Sequence, residues 1–184
     1  MKYVVGEADR GLVLFPDQMW DGSSEIKFRI HGRSDSDFAA NKDDRRRISG
    51  GVIYLKGCPI TFRSSMQKFV SLSVTEAESA AGVMVAQDML YVYRLLESIG
   101  LSVELSMLLE IDNKGAVDLA NNWSVGEQTH HVDVRNHFLH ELKDEGLIVV
   151  KHVPGDENEE DIFTKNTTAS VLNKHMPKFV GIDK

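Results

Sequence analysis

A long helical segment that lies between a β-hairpin and a further strand places the strongest constraint on how this chain folds. Over residues 74–100 the apolar side chains recur at helical spacing, and a glycine ends the pattern. Residues 50–64 contain two β-rich runs around a turn at 56–59, which predicts a hairpin. Residues 106–111 form an apolar run typical of a buried strand. Because a helix joins the hairpin to this strand, we expect a parallel crossover.

The remaining elements complete an alternating pattern of strands and helices. Apolar and polar residues alternate over 25–32, which predicts a strand ahead of the hairpin. Later segments predict helices over 114–122 and 130–146, a strand over 147–153 and a short helix over 157–165. Short turns between the first three strands favour an antiparallel meander. The sequence therefore predicts an α/β fold with a mixed five-stranded sheet, antiparallel and then parallel, flanked by helices.

Length and composition indicate one soluble globular domain. The 184 residues suffice for one core, which we expect over 25–167, with a linker over 1–24 and a tail over 168–184. No apolar run approaches the roughly 18 residues of a membrane span, and one cysteine excludes an intrachain disulfide. The net charge of −7 is unusual for a nucleic-acid binder. Acids gathered around metal ions would however be neutralised in the working state.

Acidic residues stand where two predicted strands end and where two predicted helices begin. Asp35 and Asp37 follow the first strand, and Asp112 follows the fourth. If these strands are parallel neighbours, their carboxylates meet in one crevice, into which Glu78 and Asp161 can point from helix starts. Clustered carboxylates repel one another unless a hard divalent cation binds them. We therefore expect two Mg²⁺ or Mn²⁺ ions, a pair that suits phosphoryl hydrolysis.

Three of these acids also have a structural interpretation. Asp35 can belong to a turn, and Asp112 can cap the helix that follows it. Thr75 can cap the long helix, with Glu78 completing a capping box.

Asp133 is an alternative to Asp161 as the fourth acid. It shares a helix face with His137 and Glu141, a spacing that could also bind zinc. A solvated helix face is the competing interpretation of these three residues.

Six motifs in this order together resemble the ribonuclease H domain of copia-type LTR retrotransposon polyproteins, over roughly residues 28–166. They are "SDSDFAANKDDRRRISGGVIYL", "ITFRSSMQK", "SLSVTEAESAA", "IDNKGAVDLANN", "HHVDVRNHFLHEL" and "VPGDENEEDIFTK". The resemblance implies a ribonuclease H-like fold and metal-dependent cleavage of the RNA strand of RNA–DNA hybrids. It places the catalytic, metal-binding acids at Asp35, Glu78, Asp112 and Asp161.

The resemblance also implies partners and a location. Residues 1–24 look like the trailing end of a preceding reverse transcriptase, which would be a partner in the same polyprotein alongside the RNA–DNA hybrid. The expected location is the cytoplasm, within a virus-like particle and away from membranes. Basic, hydroxyl and amide side chains suit a sugar-phosphate backbone with 2′-hydroxyls. The expected substrate-binding residues are Arg45, Arg46, Ser64, Gln67, Lys68, Asn113 and Asn158.

Two other functions remain open from the sequence. The chain could be a catalytically weak or inactive remnant that acts only as a structural or nucleic-acid-binding domain. It could also be another nuclease of the same fold, such as an integrase or resolvase, although the "DNKGA" and "VPGDENE" contexts argue against this.

Overall fold

The computed structural model describes most of the chain between residues 14 and 154. The described residues are 14, 16–17, 19–23, 25–37, 47–122, 130–154, 170 and 173–174, with the backbone alone at 130–134 and 136. The strands are β1 (Ile30–Asp37), β2 (Ile48–Leu55), β3 (Cys58–Met66), β4 (Met107–Ile111) and β5 (Ile148–His152). The helices are α1 (Val74–Ser98), α2 (Lys114–Asn121) and α3 (His130–Asp144).

These strands form one five-stranded sheet in the order β3-β2-β1-β4-β5. The pairs β1–β2 and β2–β3 are antiparallel, whereas β1–β4 and β4–β5 are parallel. The predicted mixed sheet with flanking helices is therefore confirmed. The predicted helix over 157–165 lies outside the described residues, and the domain bounds at 25, 167 and 168 stay predictions.

The first strand differs from its prediction. We expected it over 25–32, but β1 covers Ile30–Asp37, and Phe28 makes only an isolated bridge to Val103. The prediction was wrong because β1 pairs on both sides, with β2 and with β4. This pairing stabilises the extended conformation of a segment that is too polar to be recognised as a strand from its own pattern. As a result Asp35 lies inside a strand rather than in a turn after one.

A two-residue turn at Lys56 and Gly57 closes the predicted hairpin. Both residues have positive φ, 50° and 79°, as expected for a tight hairpin turn that matches strand twist. Asp17, from the predicted linker, lies against this turn and donates its backbone N–H to the carbonyl of Lys56 at 2.8 Å. Part of the predicted linker therefore contacts the sheet.

The core lies between the sheet and α1. The centre of α1 packs on β1 and β2, where an added Cβ at Gly32 or Gly51 would collide with the side chains of Val85 or Met89. These glycines let the helix approach the sheet closely, and Val85 and Met89 are buried there. None of the helices within the described ranges is long and apolar enough to span a membrane.

Candidate active site

Three of the predicted acids meet at one end of the sheet. Asp35 lies in β1, Glu78 in the first turns of α1, and Asp112 directly after β4. One oxygen from each carboxylate lies within 4.8 Å of the others, and within the described part of the chain this is the group of side chains that could hold a metal ion. Asp161 lies outside the described residues. For Asp133 only the helical backbone of α3 is described.

The sheet register explains how the two aspartates meet. In the parallel pairing of β1 with β4, Ser34 lies beside Ile111. The next residues along the two strands are Asp35 and Asp112, so their carboxylates reach the same edge. The carboxyl ends of parallel strands are where open α/β sheets place their binding sites.

The carboxyl group of Glu78 is buried and strongly perturbed. Its Oε1 accepts hydrogen bonds from the backbone N–H of Ser36 at 3.1 Å and from the Ser36 hydroxyl at 2.8 Å. Its Oε2 is buried and has no hydrogen-bond partner among the described residues. Burial raises the pKa of Glu78 from 4.5 to about 9, and the carboxylates of Asp112 and Asp35 add to the rise.

The chemistry of this donor set fits a divalent cation. The three carboxylates supply hard oxygen ligands of the kind that such a cation prefers. One of these oxygens, Oε2 of Glu78, is buried without a hydrogen-bond donor, and a bound cation can take the place of that donor. Without a cation, Glu78 retains a proton over most of the neutral pH range.

The helix caps also differ from their predictions, and the difference leaves the acids facing the site. The cap of α1 is Ser73, which accepts a hydrogen bond from Glu76 N at 3.0 Å, so the predicted capping box of Thr75 with Glu78 is wrong. Glu76, three residues after this cap, accepts with its Oε2 from the N–H of Leu72, the residue before the cap, at 2.7 Å, a contact one residue away from that of a capping box.

Asn113 caps α2 in the same way. Its side-chain oxygen accepts from Ala116 N at 2.9 Å, so Asp112 is not the cap. We predicted that Asn113 binds substrate, and the structure shows this internal hydrogen bond. The backbone carbonyl of Asp112 lies 3.0 Å from Nε2 of His152 at the end of β5.

The predicted substrate-binding residues occupy different environments. Ser64 and Lys68 are exposed at the sheet edge and in the loop after β3. Gln67 is buried, with its amide donating to Ser49 Oγ at 2.8 Å and to Ala77 O at 3.0 Å. It thus joins the end of β3 to the first turn of α1. Outside the described residues lie Arg45, Arg46 and Asn158.

Two arginines near the acids were not singled out as site residues from the sequence. Arg47 is only 3% exposed. Burial lowers the pKa of its guanidinium, while the carboxylates of Glu76 and Glu78 oppose the lowering. On α3, Arg135 lies with Nη1 3.8 Å from Glu76 Oε1. In the sequence Arg47 belongs to a run of three arginines, and only its position directly before a strand distinguishes it.

Of the three residues in the zinc interpretation of the α3 face, the structure describes the side chains of His137 and Glu141. His137 Nδ1 lies 3.4 Å from Glu141 Oε1, and both side chains are at least half exposed. An exposed i,i+4 pair is also typical of a solvated helix face.

Comparisons with known proteins identify the fold. The ribonuclease H1 LC11, solved in complex with an RNA/DNA hybrid, superposes with a TM-score of 0.56 and 16% identity, covering 78% of this chain and 99% of that one. The N-terminal ribonuclease H domain of a Mycobacterium tuberculosis protein gives 0.54 and 10%, covering 80% and 99%. The chain therefore has a ribonuclease H fold.

The sequence relatives are retrovirus-related Pol polyproteins. The chain is 32% identical to that of transposon TNT 1-94 from Nicotiana tabacum over 136 residues, which is 74% of this chain and 10% of the relative. It is 26% identical over its whole length to the polyprotein of transposon RE1 from Arabidopsis thaliana, covering 12% of it. The chain thus spans about a tenth of the length of these relatives. No protein-family model matches it.

Proposed function

We propose that this chain is a metal-dependent endoribonuclease that hydrolyses the RNA strand of RNA–DNA hybrids as part of a copia-type retrotransposon polyprotein. The observation that carries the proposal is the cluster of Asp35, Glu78 and Asp112, with ligand oxygens within 4.8 Å, at the carboxyl end of parallel strands. The ribonuclease H fold and the Pol polyprotein relatives support the same assignment.

The three acids would hold two Mg²⁺ or Mn²⁺ ions, with Asp161 as the proposed fourth ligand and Asp133 as its alternative. When bound, these ions would activate the attacking water and stabilise the leaving oxygen. Ser36 fixes one oxygen of Glu78 through two hydrogen bonds and so directs the other into the cluster. The buried position of Asp35 and Glu78 limits competition from bulk water for the same oxygens.

Substrate recognition would come from groups at the edge of this site. Ser64 and Lys68 are exposed and offer a hydroxyl and an ammonium group to a sugar-phosphate backbone. We propose the same role for Arg45, Arg46 and Asn158. The internal hydrogen bonds of Gln67 and Asn113 suit indirect support, in which each holds a segment that borders the acids.

The polyprotein relatives suggest a larger setting. The proposed partners are the hybrid and a reverse transcriptase domain of the same polyprotein, with a virus-like particle in the cytoplasm as the location. The LC11 ribonuclease H1 was solved with an RNA/DNA hybrid bound to it, which supports the proposed substrate class.

The test is cleavage of a labelled RNA–DNA hybrid by the purified chain with Mn²⁺, beside an Asp112→Asn variant. We expect the parent to cut the RNA strand and the variant to lose the activity while keeping its fold, because an amide is a poorer metal ligand. Asp118→Asn, an exposed acid on α2, is the matched control and should cleave like the parent.

Cleavage by the Asp112→Asn variant, or by the parent in EDTA, would refute the metal-dependent mechanism. A folded parent that binds the hybrid without cutting it would favour an inactive, nucleic-acid-binding remnant instead.

A further inference from the structure

Arg135 on α3 contacts the loop before α1 and the first turn of α1, two residues ahead of Glu78. Its guanidinium carbon lies 3.6 Å from the centroid of the Phe69 ring, in the loop between β3 and α1. Its Nη1 lies 3.8 Å from Oε1 of Glu76, in the first turn of α1. Both charged side chains are largely buried, with 24% and 14% of their surface exposed. A planar guanidinium can stack on a ring and face a carboxylate at once, which an ammonium group does less well.

Glu76 lies in the first turn of α1, where two hydrogen bonds hold it. Its backbone N–H donates to Ser73 Oγ, and its own Oε2 accepts from Leu72 N. These two hydrogen bonds fix the first turn, and Glu78 follows two residues later. A contact that holds Glu76 in place therefore also holds the backbone that carries Glu78.

Helix α3, which carries Arg135, is also connected to the acidic cluster through β5. Helix α3 ends at Asp144 and is followed by β5, whose last residue, His152, contacts the backbone carbonyl of Asp112. Arg135 thus joins the segment that supports Asp112 to the helix turn that supports Glu78.

We propose that Arg135 is a positioning residue that clamps α3 to the first turn of α1 and thereby holds Glu78 in its metal-binding orientation. The inference rests on the proposed function, since it takes the acidic cluster to be a metal site. Arg135 would touch neither metal nor substrate; it would act through Glu76 and Phe69.

Electrostatics and positioning predict opposite effects on metal binding when Arg135 is lost. A positive charge near the carboxylates disfavours a divalent cation, so its removal alone would tighten binding. If Arg135 instead holds Glu78 in place, its removal loosens a ligand and weakens binding. Loss of a residue that supports a metal ligand typically lowers the affinity for the metal by roughly tenfold or more.

The experiment measures Mn²⁺ binding to the purified chain without nucleic acid, from the electron paramagnetic resonance signal of free Mn²⁺. We expect Arg135→Met and Phe69→Leu each to weaken binding by roughly tenfold. Phe69→Leu removes the stacking without altering charge. Arg63→Met is the matched control, because Arg63 also pairs with an α1 carboxylate, bonding both oxygens of Asp88 at 2.9 and 3.0 Å.

Asp88 lies ten residues beyond Glu78, about 15 Å along the helix, so the control should change Mn²⁺ affinity by less than about twofold. Circular dichroism establishes that each variant is folded. If Arg135→Met proves unfolded, Phe69→Leu decides the question. Unchanged or tighter Mn²⁺ binding by the folded Arg135→Met variant, or unchanged binding by Phe69→Leu, would overturn the proposal.

This readout separates the inference from the proposed activity. Weaker Mn²⁺ binding by the variants, with a parent that binds Mn²⁺ but cleaves no hybrid, would support the positioning role and reject the nuclease function. A parent that binds no Mn²⁺ would reject both.

Discussion

Replacing Glu78 by glutamine should stabilise the metal-free protein while removing a proposed metal ligand. Glu78 is 3% exposed, and burial with two neighbouring carboxylates raises its pKa from 4.5 to about 9. A carboxyl group whose pKa is raised on folding adds most stability below its unfolded pKa. That contribution is lost as the pH rises from 4.5 towards 9, because the unfolded chain ionises first.

The size of the effect follows from the distance in pH. A pH of 7 is about 2.5 pH units above the pKa of 4.5 in the unfolded chain, so the carboxyl group is ionised there. In the folded protein the same group is still protonated at this pH. At 1.36 kcal/mol per unit, the folded state loses about 3 kcal/mol relative to a group that does not titrate. The amide of Glu78→Gln does not titrate, can accept the two Ser36 hydrogen bonds and can donate to the adjacent carboxylates.

Urea unfolding in EDTA at pH 7 should therefore show Glu78→Gln more stable than the parent by up to about 3 kcal/mol. The difference should shrink below about 1 kcal/mol near about pH 5. Mn²⁺ at a hundredfold excess over its Kd should stabilise the parent by about 2.7 kcal/mol and the variant by less. Glu97→Gln, exposed on the same helix, is the control and should change little in either condition.

A Glu78→Gln variant that is less stable than the parent in EDTA at pH 7, with the control unchanged, would refute this reasoning. It would mean that the carboxylate gains more from Ser36 and its surroundings than it loses by burial.

Three further substitutions test the fold around the site by their effect on the free energy of unfolding. Ser73→Ala should cost about 1 kcal/mol because it removes the α1 cap, whereas Thr75→Ala should cost less than about 0.5 kcal/mol; equal costs would contradict the observed cap. Gly32→Ala should cost about 1–3 kcal/mol, because the added methyl group meets the buried side chain of Met89; a neutral result would show that α1 can move away from the sheet. Gln67→Leu should cost about 1–3 kcal/mol because it leaves buried polar partners unpaired; weaker hybrid binding at unchanged stability would instead indicate direct substrate contact.

The sequence predicted the sheet and its antiparallel-then-parallel order because hydrophobic periodicity and turn residues mark β2 to β5 locally. It also predicted the meeting of Asp35 with Asp112, since both follow from the parallel pairing of two strands. It misplaced β1 because that strand is polar and owes its conformation to neighbours on both sides. Ladder pairing is a tertiary effect that a local pattern does not contain.

The groups that support the acids escaped prediction for a related reason. Ser36 and Arg135 carry no pattern of their own, and each matters because of a partner 42 or 59 residues away in the sequence. Gln67 was predicted to bind substrate, but its hydrogen bond to a residue 10 positions away was not predicted. The acids themselves are recognisable because backbone position alone delivers them to one place. A carboxylate cluster is therefore predictable from strand and helix ends, whereas the hydrogen bonds and stacking that orient it require the folded chain. This division explains why Arg135, rather than any acid, is the residue whose role the structure adds.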